Sequence, residues 1–428
     1  MFRFRLTHLT LPLTLSFQSM TSTVAAQSDA ALEHARRLLE SAPLIDGHND
    51  LAWEIRESKT APRDVAAYDL RTRTPKHTDL ERLKEGKVGA QFWSIYLPGD
   101  FRDSGYARVQ LEQFDIARRV IARYPDRLAL ALSASDIERN FKRGRIGSLL
   151  GMEGGHAIEN SLGALRSYYE LGARYMTLTH NVTLDWADAA LDTARHNGLT
   201  AFGREVVREM NRLGMLVDLS HVSPAVMGDA LDVSEAPVIF SHSSARALTN
   251  HPRNVPDQIL ARLPRNGGVV MVTFVPAFVS PEAAAWDAEA RRHSEHLERT
   301  VTDIAERRRL SDEWKAAHPQ PRATLAQVAD HIEHVRKVAG VDHVGIGSDF
   351  DGIDTVPEGL EDVSRFPYLF AELIRRGWND NDLKKLAGGN LLRAFRAAEA
   401  TAARLRKSRP PSTKTIEELD GPAASATP

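Results

Sequence analysis

The chain has 428 residues, 42% of them hydrophobic, and a net charge of −2 with a pI of about 6.8. That length allows one large domain or two ordinary ones, and the near-neutral balance gives no reason to expect nucleic acid or an anionic membrane as the main partner. There is no cysteine, which excludes disulfides, thiolate metal sites and thiol nucleophiles.

The first residues read as a secretory signal. Arg3 and Arg5 form a positive start, Leu9 to Phe17 is a short apolar run, and Val24-Ala25-Ala26 supplies small residues, so cleavage after Ala26 and a periplasmic or secreted location are expected. No other run is long and apolar enough to span a bilayer.

From there strands and helices alternate. Ala30 to Glu40 reads as an amphipathic helix feeding a first strand, Pro43 to His48, and Glu57 to Thr78 as a polar loop. Strands follow at Val88 to Tyr96, Ile146 to Met152, Ala173 to His180, Met215 to Leu219, Pro237 to Phe240, Gly267 to Phe274 and His343 to Asp349. Helical spacing separates them at Tyr106 to Tyr124, Leu162 to Leu171, Thr200 to Leu213, Pro224 to Leu231, Pro256 to Leu263 and Ala326 to Val338, and two more helices close the chain at Leu369 to Arg376 and Asn390 to Ala400. Eight apolar strands with intervening helices predict an α/β fold, a (β/α)8 TIM-like barrel over 27–405. A doubly wound open sheet is the runner-up, without its glycine fingerprint. Ala283 to His318, charged and helical in character, stands outside this pattern as a solvated excursion or a lid. The tail from 406 to 428, rich in Pro, Ser, Thr and Ala, is expected to be disordered.

Five strands end in residues that ligate metals. The first reaches His48 and Asp50, whose side chains would share one strand face. The third ends at Glu153, the fourth at His180, the fifth runs to His221, and the sixth to His242. A lone histidine at a strand end is usually a hydrogen-bonded core or rim residue. The joint pattern, at the barrel face where active sites form, points to a binuclear metallohydrolase. Glu153 suits a bridging carboxylate, His48 and Asp50 one ion, and His221 and His242 the other. These ligand types suit zinc, and cobalt and manganese fit them too. Asp46 would orient a neighbour. His331 and His334, in a helix, read as surface residues, and His77, His196, His251 and His343 receive no role.

Asp46-Gly47-His48-Asn49-Asp50, Gly151-Met152-Glu153-Gly154, Leu178-Thr179-His180-Asn181, Asp218-Leu219-Ser220-His221, Phe240-Ser241-His242-Ser243-Ser244-Ala245 and Gly347-Ser348-Asp349-Phe350-Asp351-Gly352 together resemble the renal (membrane) dipeptidase family, from about Pro43 to Ala400. The resemblance implies a distorted barrel, two zinc ions per subunit bridged by Glu153, a homodimer, and hydrolysis of unblocked dipeptides by a hydroxide between the metals. It further implies that His180 contacts the substrate and its tetrahedral intermediate, that Arg253 binds the substrate carboxylate, and that Asp349 handles the free amine and proton transfer. Asp351 competes for that last role, but Asp349 ends the strand directly. Without cysteine the chain cannot carry the disulfides of mammalian members, and its tail shows no hydrophobic segment for a lipid anchor. The Ala283 to His318 segment looks longer than the corresponding connection there. The alternatives are a related barrel amidohydrolase acting on a lactam, lactone or other small amide, and a dipeptide-binding protein that has lost catalysis.

Overall fold

In the computed structural model, residues 18–99 and 105–421 are described. Nine parallel strands are present among them: β1 (Leu44–Asn49), β2 (Val88–Tyr96), β3 (Leu128–Leu130), β4 (Ile146–Glu153), β5 (Ala173–Thr177), β6 (Leu216–Asp218), β7 (Ile239–Phe240), β8 (Val269–Val272) and β9 (Val344–Ile346). Eight of them close a barrel in the order β1-β2-β4-β5-β6-β7-β8-β9, with β9 returning to β1 through Asp46 opposite Ile346. The predicted (β/α)8 architecture is therefore the observed one.

The ninth strand, β3, is absent from the sequence reading. It pairs only with residues 146–148 at the start of β4, below the point where β5 joins that strand. Three residues, Leu128-Ala129-Leu130, carry too little alternation to signal a strand.

Side chains alternate between the barrel interior and the helix layer, as a pleated strand requires. Ile45, Phe92, Leu149, Tyr175, Leu216, Ile239 and Val269 come from seven strands and form one buried cluster, which fills the barrel. Their neighbours Leu44, Trp93, Leu150, Met176, Val217, Phe240 and Val270 belong to the other cluster, against the helices. The helices begin where the chain supplies caps. Thr200, Ser223 and Thr324 each accept a backbone N–H from the first turn of the helix that follows.

Several predicted boundaries move. β5 stops at Thr177, so His180 lies three residues past it, and β9 stops at Ile346, so Asp349 lies in the following turn. The loop expected up to Thr78 is followed by an unanticipated short helix, Leu80–Glu85, and a second one forms at Ala134–Lys142. The excursion is two helices, Pro281–Thr300 and Ile304–Ala317, between β8 and β9, and only Ala283 and Leu297 of them are buried.

The first helix runs from Gln18 to Ser41, so the expected cleavage point after Ala26 falls within it, and residues 1–17 of the expected leader lie outside the described residues. The tail differs from the expectation. The last long helix continues to Ser408, and a short helix with its own capping box follows at Ile416–Asp420. This stretch is tied down at both ends, by Arg166 donating to the Ser412 carbonyl at 2.8 Å and by the Phe202 N–H donating to Asp420 at 3.1 Å. Composition alone points to disorder, but Arg166 and the Phe202 N–H on the barrel's outer helices give this stretch its partners. Residues 422–428 lie outside the described residues. No described helix is long and apolar enough to cross a membrane.

Candidate metal centre

The sequence-selected residues converge on Glu153, the last residue of β4 and only 5% exposed. Its two carboxylate oxygens divide them. Oε2 lies 3.4 Å from His48 Nε2, whereas Oε1 lies 3.0 Å from His221 Nε2, 3.5 Å from His242 Nε2 and 3.7 Å from His180 Nε2. Asp50 Oδ2 stands 3.2 Å and Asp349 Oδ1 3.9 Å from His48 Nε2. One oxygen therefore faces the His48–Asp50 side and the other the His221–His242 side.

Asp50 reaches this place by a different route from the one expected. It is not the next same-face residue of a strand. β1 ends at Asn49, and Asp50 has turned to φ −96°, ψ 24° at the start of helix Leu51–Arg56. Gly352 makes room for it, because a Cβ there would sit 2.3 Å from Asp50 Oδ2 and 2.8 Å from Asp349 Oδ1. His221, Asp349 and Asp351 all adopt a left-handed backbone, with φ of 69°, 69° and 67°. Such conformations cost of order 1–3 kcal/mol and gather at functional sites.

A second layer fixes the rings. His48 Nδ1 is 2.8 Å from the Tyr175 hydroxyl, His221 Nδ1 is 3.0 Å from Asn181 Oδ1, and His242 Nδ1 is 2.8 Å from Ser241 Oγ. Asn181 Oδ1 can only accept, so His221 carries its proton on Nδ1. Ser241 Oγ–H donates to Asp218 at 2.6 Å, so its oxygen accepts from His242 Nδ1–H. Both Nε2 lone pairs then face one another across 2.9 Å with no proton between them. Burial pushes both histidines well below the ordinary range, helped by Arg253, and keeps them neutral. Two facing lone pairs repel unless a cation lies among them. Distances of 3.0–3.5 Å from Glu153 to these nitrogens match the edge of a tetrahedral site with bonds of ~2.1 Å. The donor set thus fits a metal centre. Among the described residues, His48–Glu153–His242, Glu153–His180–His221 and His48–Asp50–Asp349 each bring ligand atoms within 4.8 Å of one another.

Asp218 and Asp46 support from behind. Asp218 accepts from Thr177, Ser220 and Ser241, and Asp46 accepts from Ser348 N–H at 2.7 Å and Ser348 Oγ–H at 2.6 Å. Asp46 therefore orients a neighbour, as its sequence position suggested. Burial would raise the Glu153 pKa, but His48, His221 and His180 overcome it and hold the carboxyl well below its usual range. Burial together with Asp50 and Glu153 drives Asp349 the other way, well above. His180 is lowered to about 4 by burial, and Arg253 adds to the effect, so it is a neutral N–H donor at neutral pH.

Arg253 is 4% exposed, its guanidinium 5.0 Å from the Phe278 ring centre. Its Nε and Nη2 are buried without a hydrogen-bond partner among the described residues. Burial lowers its pKa only to about 10, so it stays charged.

Two histidines were misjudged. His331 is not a surface residue; at 1% exposure it accepts the Ala245 N–H on Nδ1 and lies beneath the loop that carries Arg253. Helical periodicity could have found it, since it shares a face with the buried Val328, Ile332 and Val335. His251, left without a role, accepts the Arg253 N–H on Nδ1 at 3.2 Å. Its Nε2 reaches Asp287 of the excursion at 3.3 Å. Nothing in the sequence announces that contact across 36 residues.

A parallel barrel with imidazoles and carboxylates clustered at its C-terminal mouth is an arrangement suited to a metal-dependent hydrolase. Residues 32–409 match the model of the membrane dipeptidase family, peptidase family M19, and the chain belongs to that family of metallopeptidases. It is 42% identical over 391 residues to Dipeptidase verJ of Clonostachys rogersoniana, covering 89% of this chain and 90% of that one. It is also similar to the probable dipeptidase PvdM of Pseudomonas aeruginosa, with a TM-score of 0.76 and 24% identity over 87% of this chain and all of that one. A metallopeptidase of Rhodobacter sphaeroides, solved with a phosphinate mimic of the dipeptide L-Ala-D-Ala, superposes with a TM-score of 0.68 and 25% identity, over 83% of this chain and 99% of that one.

Proposed function

We propose that the protein hydrolyses the peptide bond of unblocked dipeptides at a binuclear zinc centre. His48 and Asp50 would hold one ion, His221 and His242 the other, and Glu153 would bridge them. The observation that carries this reading is the tautomer set, which turns the Nε2 lone pairs of His221 and His242 onto one Glu153 oxygen while His48 faces the other. When bound, such ions polarise the scissile carbonyl and bring the pKa of water to ~7.

The chain's own residues do the rest. A dipeptide carries a carboxylate at one end, and the buried guanidinium of Arg253, with Nε and Nη2 free to donate, pairs with it bidentately. The neutral His180 ring, in tilted contact with His221 at 4.2 Å and Tyr96 at 4.8 Å between ring centres, donates from its ring N–H to the carbonyl oxygen as negative charge develops there. Asp349, beside His48 and fixed by its N–H to the His48 carbonyl at 3.1 Å, accepts from the free ammonium and carries the proton given up by the attacking water to the leaving amine.

The test is amino-acid release from an L,L-dipeptide and its N-acetylated form, using metal-stripped protein with and without zinc. Zinc-dependent cleavage of the free dipeptide alone is expected. Equal cleavage of both forms would shift the assignment to a broader amidohydrolase. Stoichiometric zinc uptake with no cleavage would point to a binding protein. Export follows from the basic, apolar and small-residue pattern of residues 3–26, and is tested by the N-terminal residue of the mature protein, Gln27 if the reading is right. A homodimer is part of the same proposal and is tested by sedimentation.

A further inference from the structure

A cavity of about 600 Å3 lies between Arg253 and the excursion helix Pro281–Thr300. It touches Asn181, the residue that orients His221, and Arg253 on its inner side, so it lies beside the metal centre. Its volume is in the range of small-molecule sites and exceeds what a glycine or alanine needs.

The position of this cavity follows from the chemistry of the substrate. In a dipeptide, the C-terminal α-carbon lies between the scissile nitrogen and the carboxylate. With the scissile carbonyl at Glu153 and the carboxylate on Arg253, that residue's side chain must leave from beside Arg253, which is where the cavity begins. This step rests on the dipeptidase reading above.

Part of the wall is apolar. Phe278, 7% exposed, carries the Arg253 guanidinium on its face, and Leu191, Pro276 and Ile353 continue the lining. The outer wall is Trp286. Its indole N–H donates to the His318 carbonyl at 2.6 Å and its ring stands 5.8 Å from Trp314, so both excursion helices hold it over the cavity. The charged groups nearby are paired with one another. Asp287 binds Arg291 at 2.9 Å and His251 at 3.3 Å, and Asp354 binds Lys76 at 3.0 Å. Lys315 lies at the exposed edge, where its head group stays in water. These pairings leave little net charge to recruit a charged side chain.

We propose that this cavity is the subsite for the C-terminal side chain, that it selects bulky apolar or aromatic residues, and that Trp286 determines that selectivity. The excursion is then a specificity wall and not merely a solvated insertion.

The experiment compares kcat/KM of the zinc-loaded full chain for L-Ala-L-Phe, L-Ala-Gly and L-Ala-L-Glu. The phenylalanine dipeptide is expected to lead both others by at least about tenfold, since even one methylene in an apolar pocket gives such a factor. Trp286→Ala should remove most of that lead, chiefly through a higher KM for L-Ala-L-Phe, with a much smaller effect on L-Ala-Gly, whereas Trp286→Phe should restore it. Ala290→Trp, which fills the cavity from the same exposed helix, should also depress L-Ala-L-Phe selectively. Equal rates on the three dipeptides, a lead for L-Ala-L-Glu, or a uniform loss in all variants would overturn the subsite while leaving the dipeptidase reading in place. Cleavage of none of the three would overturn both.

Discussion

The floor of the active-site cavity and its rim are built on opposite physics. At the floor, Glu153, His48, His221 and His242 are at most 5% exposed, and the Nδ1 of each ring has a defined partner in Tyr175, Asn181 or Ser241. At the rim, helix Ile304–Ala317 has no buried residue, and its Arg309 pairs only with exposed Glu306 and Glu313. The floor rings are fixed because each Nδ1 there has a partner whose loss would be felt in a low dielectric. The rim, held chiefly by solvent-screened pairs and by Trp286, can change without disturbing those partners. A single chain can therefore keep one reaction while adjusting its substrate.

Substitutions ranked by effect should break or sharpen this contrast. Among these four, the largest follows Arg253→Ala, which removes the buried cation we propose as the partner of the substrate carboxylate. Losing one partner of a buried charge pair costs about 2–5 kcal/mol, so kcat/KM for a free dipeptide should fall to match, mostly through KM, with the fold intact by circular dichroism. Ser241→Ala should come next. It strips His242 Nδ1 of its acceptor and leaves Asp218 one donor short, and changes of this kind cost about 10–100-fold in metal affinity, measurable by zinc competition with a chelator.

A smaller effect appears in acid. Burial lowers the His331 pKa to about 4, so the folded protein holds this ring neutral. The unfolded chain protonates it near pH 6.5, hence the stability tied to the neutral ring is complete above that pH and is lost as pH falls toward 4. The loss amounts to about 2–3 kcal/mol. Urea titrations of His331→Gln between pH 7 and 5 should show a flatter decline than the parent. Least of all, Arg309→Ala in the rim should leave both melting temperature and kcat unchanged. A marked drop in either would show that the rim is structural after all.

The floor was legible in the sequence because its residues terminate apolar runs, and strand ends are where a barrel gathers side chains. His48, Glu153, His221 and His242 needed only that rule, and so did the eight strands of the barrel. What escaped notice depends on geometry that a linear pattern does not carry. Asp50 reaches the site through a turn made possible by Gly352, not through strand alternation. β3 is too short to alternate. His251 matters because Arg253 and Asp287 converge on it from two segments. The segment around Ser412 and Asp420 looked disordered by composition, yet Arg166 and the Phe202 N–H hold it. His331 was the avoidable error, since its helix places it on the face of Val328, Ile332 and Val335.

The central claim is that Glu153 joins two ions into one working centre. The most direct measurement is zinc stoichiometry together with dipeptide turnover in the parent and in Glu153→Gln, with folding checked by circular dichroism. Two zinc ions per chain are expected in the parent, fewer than two in the variant, and no turnover by a variant that remains folded. A folded Glu153→Gln protein that kept two ions and full turnover would contradict the claim.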